Sequence, residues 1–571
     1  MLTQQVFCTI LCIHMYLDTS KIKTSSGKTY TRVLLRRAFR KDGKVKHETL
    51  GNLSQCSKEE ISAIRFALKN KDRLPEIISQ GSHPDFSFRQ GLSVGAVYLV
   101  CEIAKRLGIF TALGTDRNAR LALWQICARV IDQGSRLSAV RLATSHAACD
   151  VLGINASFDE DDLYTNLDWL CENQSRIEQR LFKVSYPDKK PKIFLYDVTS
   201  SYLEGMHNEL AAFGYNRDGK KGKKQIVVGL LCDEYGCPLS IEVFKGNTSD
   251  VKTMPEQIQK VAQRFGCTEV TFVGDRGMIK SSVIDELKQH ENFHYITALT
   301  TPQIETLMKK DIIQLSLFDK DAVEVSDKES NIRYILRRNP IRAEEISRSR
   351  MEKRLAIEMM IRTKNNHLKE HVKAHVEVAK KEVVAKIHKL KLDAWLSVSI
   401  TERDLLLNIA EDMLTEESKL DGCYVIKTDL KKEVATTQEV HSRYKDLALV
   451  EWAFRTSKTF ELEMRPINVR KETRTRGHVF VVMLSYMIVK ELSKLWGSID
   501  LKVEEGLNEL TTLCLTEIYD NGVLVCNTIP TPRESVKHLL SAANVTMPGV
   551  LPSKGVVVAT RKSLQENRKA K

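Results

Sequence analysis

At Pro191 the sequence changes its period. Upstream, from Gly95 to about Tyr186, apolar residues recur three or four apart in AVYLVCEIAKRLGI, ARLALWQICARVID and LYTNLDWLCENQSRIEQRLF, the spacing of amphipathic helices. Downstream come short branched runs, KIFLYDV, QIVVGLLCD, PLSIEVF, TEVTFVGD and HYITAL, which read as strands. The first three leave no room for helices between them and predict an antiparallel meander. Helix-like stretches at 252–265 and 279–289 separate the later ones. The order strand, strand, strand, helix, strand, helix, strand predicts a mixed α/β sheet with crossovers in its later half, the element order of a ribonuclease H-like domain.

The sheet pattern then breaks between about Thr300 and Leu420. There the long charged segment from Arg342 to Leu390 has no Gly or Pro, which predicts extended helix and an insertion that is largely helical. Sheet-like chain resumes at GCYVIKTDL, one amphipathic helix is expected from about Gln438 to Ser457, and HVFVVMLSYMIVKELSKLW reads as a buried helix, too charged at its far end to span a membrane. Near the start, residues 28–54 read as two strands joined at Lys41-Asp42-Gly43-Lys44, a hairpin signal with a face dense in Arg and Lys. The expected divisions are an N-terminal extension (1–27), a hairpin and helical DNA-binding region (28–186), the first part of the sheet domain (187–300), the insertion (301–420), the second part with a glutamate-bearing helix (421–500), and a C-terminal region with a basic tail (501–571).

A chain of 571 residues predicts roughly two to four domains. Its net charge of +14 and pI near 9.0 suit a polyanionic partner. Thirteen cysteines without CxxC spacing point to reduced thiols and a cytoplasmic protein. The apolar stretch from Val6 to Leu17 is too short to cross a bilayer and lacks a basic lead-in, so no membrane association is expected. Met15, which opens an ordinary polar stretch, is the expected translation start.

Three carboxylates fall where such a sheet would place a metal site. Asp197 is expected to end the first strand in LYDVTSS, Asp275 ends the fourth in VTFVGDRGM, and Glu451 lies on the late helix in DLALVEWAFR. They are separated by 78 and then 176 residues, so only the fold can bring them together. Hard oxygen ligands at an open site select Mg²⁺ or Mn²⁺, and a metal pair can activate an attacking oxygen and steady a leaving one. An Asp after a strand also caps turns, and a helix Glu is commonly solvated. The neighbourhood decides between these readings. Gly277 follows Asp275 by two residues and lets backbone approach a ligand. Tyr444 and Lys458 stand seven residues either side of Glu451, near one helical face.

From the hairpin to about Trp496 the chain resembles the DDE transposases of bacterial insertion sequences, specifically the insertion sequence four superfamily and its sixteen-thirty-four branch. The resemblance rests on YDVTSSYLE, on LAAFGYNRDGKKGKKQIVVGLLCDEYGCPLSIEVFKGNTSD, and on FVGDRGM, GCYVIKTDL and YKDLALVEWAFRTSKT. The superfamily carries a Tyr-Arg-Glu-Lys signature. Tyr444, Glu451 and Lys458 fit it, whereas Leu447 stands at the Arg position, with Arg443 and Arg455 as candidate substitutes. The resemblance implies that Asp197, Asp275 and Glu451 are catalytic and hold Mg²⁺, with Mn²⁺ able to substitute. It implies that Tyr444 and Lys458 hold the DNA end, Lys458 on a phosphate or else as an exposed helix lysine. It also implies cut-and-paste transposition. Water frees a 3′ hydroxyl at the terminal inverted repeat, and that hydroxyl attacks the opposite strand to form a hairpin and then target DNA. A homodimer is implied in the synaptic complex, within the cytoplasm at the nucleoid.

Two basic stretches flank the core. Lys220, Lys221, Lys223 and Lys224 surround Gly222, while Arg465, Arg470, Lys471, Arg474 and Arg476 follow the glutamate helix and, with Arg455, are the expected DNA contacts. A charge run is otherwise a solvated face. Two alternatives remain at this level: a ribonuclease H-like nuclease without strand transfer, and a non-catalytic transposase-derived DNA-binding protein.

Overall fold

The computed structural model describes residues 12–23, 29–41, 44–71, 86–205, 207–327, 329–459, 462–520 and 522–560. The chain opens with an antiparallel sheet of β1 (Cys12–Lys23), β2 (Thr29–Lys41) and β3 (Lys44–Asn52). Lys41 pairs with Lys44 as the hairpin signal required, while the turn residues Asp42 and Gly43 lie outside the described residues. The following helix, Lys58–Lys69, starts at a capping box in which the Ser57 hydroxyl accepts from Glu60 N and the Glu60 carboxylate accepts from Ser57 N. Ion pairs Arg36–Asp18 and Arg37–Glu48 neutralise part of the basic face expected of the hairpin.

After β4 (Phe86–Ser93) the chain is helical from Gly95 to Ser185, as the periodicity required. The sheet follows. β5 (Ile193–Tyr202), β6 (Gln225–Asp233) and β7 (Pro238–Lys245) form the antiparallel meander. β8 (Val270–Gly274) and β9 (Phe293–Ala298) return parallel to β5 through the helices Met254–Gln259 and Ser281–Leu287. This mixed sheet with crossover helices is the expected architecture.

The segment expected to be largely helical carries two long helices, Pro340–Glu370 and Val376–Leu390, and also four strands. β10 (Val323–Asp327) and β11 (Ile332–Arg338) extend the main sheet, whereas β12 (Leu396–Thr401) and β13 (Asp404–Ile409) form a separate hairpin packed on the long helices around Ile357, Val383 and Trp395. β14 (Cys423–Thr428) then closes an eight-stranded sheet in the order β10-β11-β14-β9-β8-β5-β6-β7. Of the last strands, β15 (Cys514–Asp520) pairs with β4 on one edge and with β16 (Val523–Thr528) on the other, which ties the C-terminal region to the entrance of the helical layer.

Alternation along β5 sorts its side chains between two cores. Phe194, Tyr196 and Val198 pack with the crossover helices, whereas Leu195 joins the larger core formed by the helical layer and the helix Leu447–Lys458. The buried helix Glu472–Leu495 crosses Glu160–Ser185 so closely that a Cβ on Gly477 would stand 2.2 Å from the Leu167 carbonyl oxygen. Among the described residues no helix is long and apolar enough to cross a membrane.

Candidate active site

Asp197 lies within β5, not at its end. The strand runs on through Val198 to Tyr202 because Thr199 to Tyr202 continue to pair with β6. On the other edge the pairing with β8 stops where Tyr196 meets Gly274. Asp197 and Asp275 are therefore the next residues on two neighbouring parallel chains, about 4.8 Å being the usual strand spacing. Period-two alternation turns Asp197 to the Leu195 side, the face that the helix Leu447–Lys458 covers with Val450, Ala453 and Phe454. Glu451, next to Val450, stays exposed. Asp197, Asp275 and Glu451 all line one cavity of about 340 Å³, with Arg217, Asp250, Arg455 and Lys458.

The electrostatics match this crowding. Burial pushes the Asp197 carboxyl up to about 7, and the charges of Asp275 and Glu451 add to the rise; the Val198 amide, donating to Oδ1 at 2.8 Å, and Arg217 oppose it. Asp275 Oδ1 accepts from Arg276 N at 2.7 Å and from the Tyr444 hydroxyl at 3.4 Å. Gly277 has room for a Cβ, whose nearest neighbour would be Asp250 Oδ2 at 3.6 Å, so packing of the chain does not demand a glycine there. Among the described residues no three acidic, His or Cys side chains converge into an ion-holding cluster. The three carboxylates share a cavity without closing on one point. The donor set itself, all hard oxygens, suits a divalent cation such as Mg²⁺ or Mn²⁺.

The expected single helix from Gln438 to Ser457 is two helices, Thr437–Lys445 and Leu447–Lys458. They meet at Asp446, where the Asp446 amide is shared between the Ser442 and Arg443 carbonyls and Leu449 N donates to Asp446 O, a local tightening to three-residue spacing. Tyr444 thus sits on the first helix and Glu451 on the second. Leu447, at the signature Arg position, is buried in the large core, and Arg443 faces Asp446 at 3.4 Å.

Lys458 is not an exposed helix lysine. It is buried, with Nζ 2.9 Å from Asp218 Oδ1, and Arg465 Nη1 reaches the same oxygen at 2.6 Å. Burial lowers the Lys458 pKa, and the Asp218 carboxylate counters that shift. The other expected cations divide. Arg474 is paired with Asp168, and Arg476 with Glu242 and Glu472, while Arg455, Arg470 and Lys471 are exposed, Arg455 lying over the Trp452 ring. In the lysine loop Lys223 pairs with Glu204, and Lys220 and Lys224 lie over Tyr202 and Phe213.

Sequence reasoning missed Arg217 and Asp250. Arg217 Nη2 holds both Asp250 oxygens, at 2.6 and 2.7 Å, on the wall of the acid cavity. Both residues fall inside the long polar block quoted above, yet their 33-residue separation carries no periodic signal.

The chain matches the transposase DDE domain over residues 188–488 and the IS1634 family transposase N-terminal domain over residues 17–81. No curated protein matches it. Among solved structures it is similar to the piggyBac transposase in a synaptic complex with hairpin DNA, at 8% identity over 68% of this chain and 69% of that chain, with a TM-score of 0.35. The DDE domain spans more than half of the sequence and identifies the mixed sheet as ribonuclease H-like, so the chain belongs to the DDE transposases of bacterial insertion sequences, in their IS1634 branch, metal-dependent enzymes that cut DNA and transfer its strands in transposition.

Proposed function

We propose that Asp197, Asp275 and Glu451 are the catalytic metal ligands, that Mg²⁺ is the ion they hold with Mn²⁺ able to replace it, and that the cavity they line receives the end of the insertion sequence. The observation that carries this reading is the placement of all three carboxylates on one cavity, with Asp197 raised to about 7 by burial and by the other two. Bound there, a divalent ion supplies Lewis-acid stabilisation of the phosphoryl oxygens and of the attacking and leaving oxygens.

The remaining residues act on position and charge. Tyr444 orients Asp275 through its hydroxyl. Lys458 and Arg465 share the one charge of Asp218, so that triad keeps net positive charge at the cavity toward the scissile phosphate, and Arg217, clamped by Asp250, is held in place on the wall. Arg455, Arg470 and Lys471 are the exposed cations left to grip the backbone, and Arg465, Arg474 and Arg476 reach DNA only by sharing or leaving their acidic partners. An attacking water oxygen displaces the 3′ oxygen of the terminal phosphodiester, which leaves as a hydroxyl. That hydroxyl later attacks a phosphodiester of target DNA, forming one ester bond as it breaks another. Two transposon ends have to be processed together, which supports a homodimer in the synaptic complex, acting in the cytoplasm on nucleoid DNA.

The test is a duplex carrying the inverted repeat that flanks the gene, incubated with the protein and Mg²⁺ or Mn²⁺. Nicked ends followed by joined products support the proposal. Nicking without joining would favour a nuclease that stops at hydrolysis, and no metal-dependent nicking would refute the site.

A further inference from the structure

A second cavity, of about 160 Å³, lies between the helical layer and the loop that follows the glutamate helix. Arg129, near the end of the helix Arg117–Ile131, and Arg136, at the first position of Arg136–Ser145, line it with Arg465, His478 and one acid, Glu463. Arg129 and Arg136 are only 5% and 6% exposed. Arg129 gives Nη1 to the carbonyls of Gln133 and Leu462, and its Nε has no partner. Arg136 gives Nη1 to Gln125 Oε1 at 2.6 Å, and its guanidinium makes no other hydrogen bond among the described residues. Neither guanidinium has a carboxylate within ion-pair distance there; Glu463 and Asp132 act on Arg129 only through space. Burial pushes Arg129 down to about 10 and Arg136 down to about 9, and Arg129 itself adds to the fall at Arg136. His478 is lowered as well and contributes a neutral ring.

Two buried guanidiniums with no carboxylate in direct contact, Glu463 and Asp132 compensating Arg129 only through space, are expensive to hold side by side. Both also border the start of a ten-residue helix, capped by the Ser135 hydroxyl, whose first turn adds positive partial charge. We propose that this cavity binds a single tetrahedral oxyanion, a phosphate group, gripped by the guanidinium forks of Arg129 and Arg136 at the N-terminus of the helix Arg136–Ser145. Guanidinium geometry matches phosphate oxygens in pairs, and the volume holds a few water molecules' worth of ligand.

The phosphate comes either from the backbone of bound DNA or from solution. Arg465 lines this cavity and shares Asp218 Oδ1 with Lys458, which lines the acid cavity, so one ion triad forms a wall common to both. The oxyanion site stands on its own geometry and does not require that Asp197, Asp275 and Glu451 be the metal ligands.

The experiment uses the full chain in two arms. In the first, thermal unfolding is followed as inorganic phosphate replaces chloride at constant ionic strength. The wild type should gain a saturable rise in Tm of about 2 °C or more, reduced in Arg136→Lys and absent in Arg136→Met. A rise that never saturates, the general effect of an excluded salt, overturns the proposal on the wild type alone, whether or not the variants fold. A saturable rise that persists unchanged in folded Arg136→Met overturns it too. In the second arm, binding to the terminal-repeat duplex is measured against salt. A slope of log K on log salt smaller by about one in Arg136→Met assigns the site to a DNA phosphate, and an unchanged slope with the saturable shift assigns it to free phosphate. Cleavage is read separately, so an inactive triad leaves this result standing and a failed phosphate titration leaves the triad untouched.

Discussion

The Tyr444 hydroxyl stands 3.4 Å from Oδ1 of Asp275, a long hydrogen bond that crosses 169 residues of sequence and ties the short helix before Glu451 to the end of β8. Burial and the Asp275 charge raise the Tyr444 pKa, so the phenol stays protonated and donates. Tyr444→Phe should keep the ring packed and change stability by no more than about 1 kcal/mol. Cleavage should slow without stopping, because Asp275 keeps its carboxylate but loses its orientation. Single-turnover cleavage beside a denaturant melt separates the two effects, and a wild-type rate in Tyr444→Phe would remove the hydroxyl from the account.

Asp197 makes metal-free stability depend on pH with a definite sign. Its folded pKa of about 7 lies above the value of about 3.9 for an unfolded chain. Between those values the folded state binds more protons than the unfolded state, so stability falls as pH rises through this window. Asp197→Asn should therefore exceed the wild type in stability at pH 8 in chelator, by up to about 4 kcal/mol, and match it near pH 4. Urea unfolding across that range measures this. A difference that does not vary with pH would contradict the shift.

The buried triad of Lys458, Asp218 and Arg465 predicts an unequal pair of substitutions. Asp218→Asn leaves two cations facing a neutral amide, one of them buried, and should cost about 3–5 kcal/mol. Lys458→Met should cost less, because Asp218 keeps Arg465 at 2.6 Å and the Tyr202 amide at 3.1 Å. Thermal melts of the two variants give the order, and the reverse order would mean that Lys458 is not held as described.

Gly477 marks the crossing on which the helical layer rests. Gly477→Ala would press a methyl toward the Leu167 carbonyl, 2.2 Å away before any shift. The helices have to part, at a cost of about 1–3 kcal/mol. Equal stability of Gly477→Ala and the wild type would show that the crossing is looser than described.

Much of this was readable from local pattern. Period-two runs from Ile193 to Ala298 gave strands in the right order, and the helical period gave the layer before them. What escaped depends on partners far along the chain. β10 and β11 fell within the insertion expected to be largely helical; half of their residues are polar, and β11 joins the main sheet only against β14, some ninety residues on, with β10 added at its edge. Asp197 looked like a strand end because Thr and Ser follow it, yet those residues pair with β6. The break at Asp446 has no Gly or Pro to announce it. The choice between a phosphate contact and an exposed lysine at Lys458 stayed open because its counter-ion, Asp218, precedes it by 240 residues. The site acids were visible by type and by family resemblance, whereas the Arg217–Asp250 clamp and the paired state of Arg474 and Arg476 arise only from the folded chain.

The measurement closest to the central assignment is metal-dependent cleavage of the terminal-repeat duplex by Asp275→Ala beside the wild type, in Mn²⁺, with folding checked by melting. Asp275 is exposed on the cavity and packs little, so the variant should fold. The triad assignment predicts cleavage reduced to background with binding of the duplex retained. Undiminished cleavage by folded Asp275→Ala would contradict it.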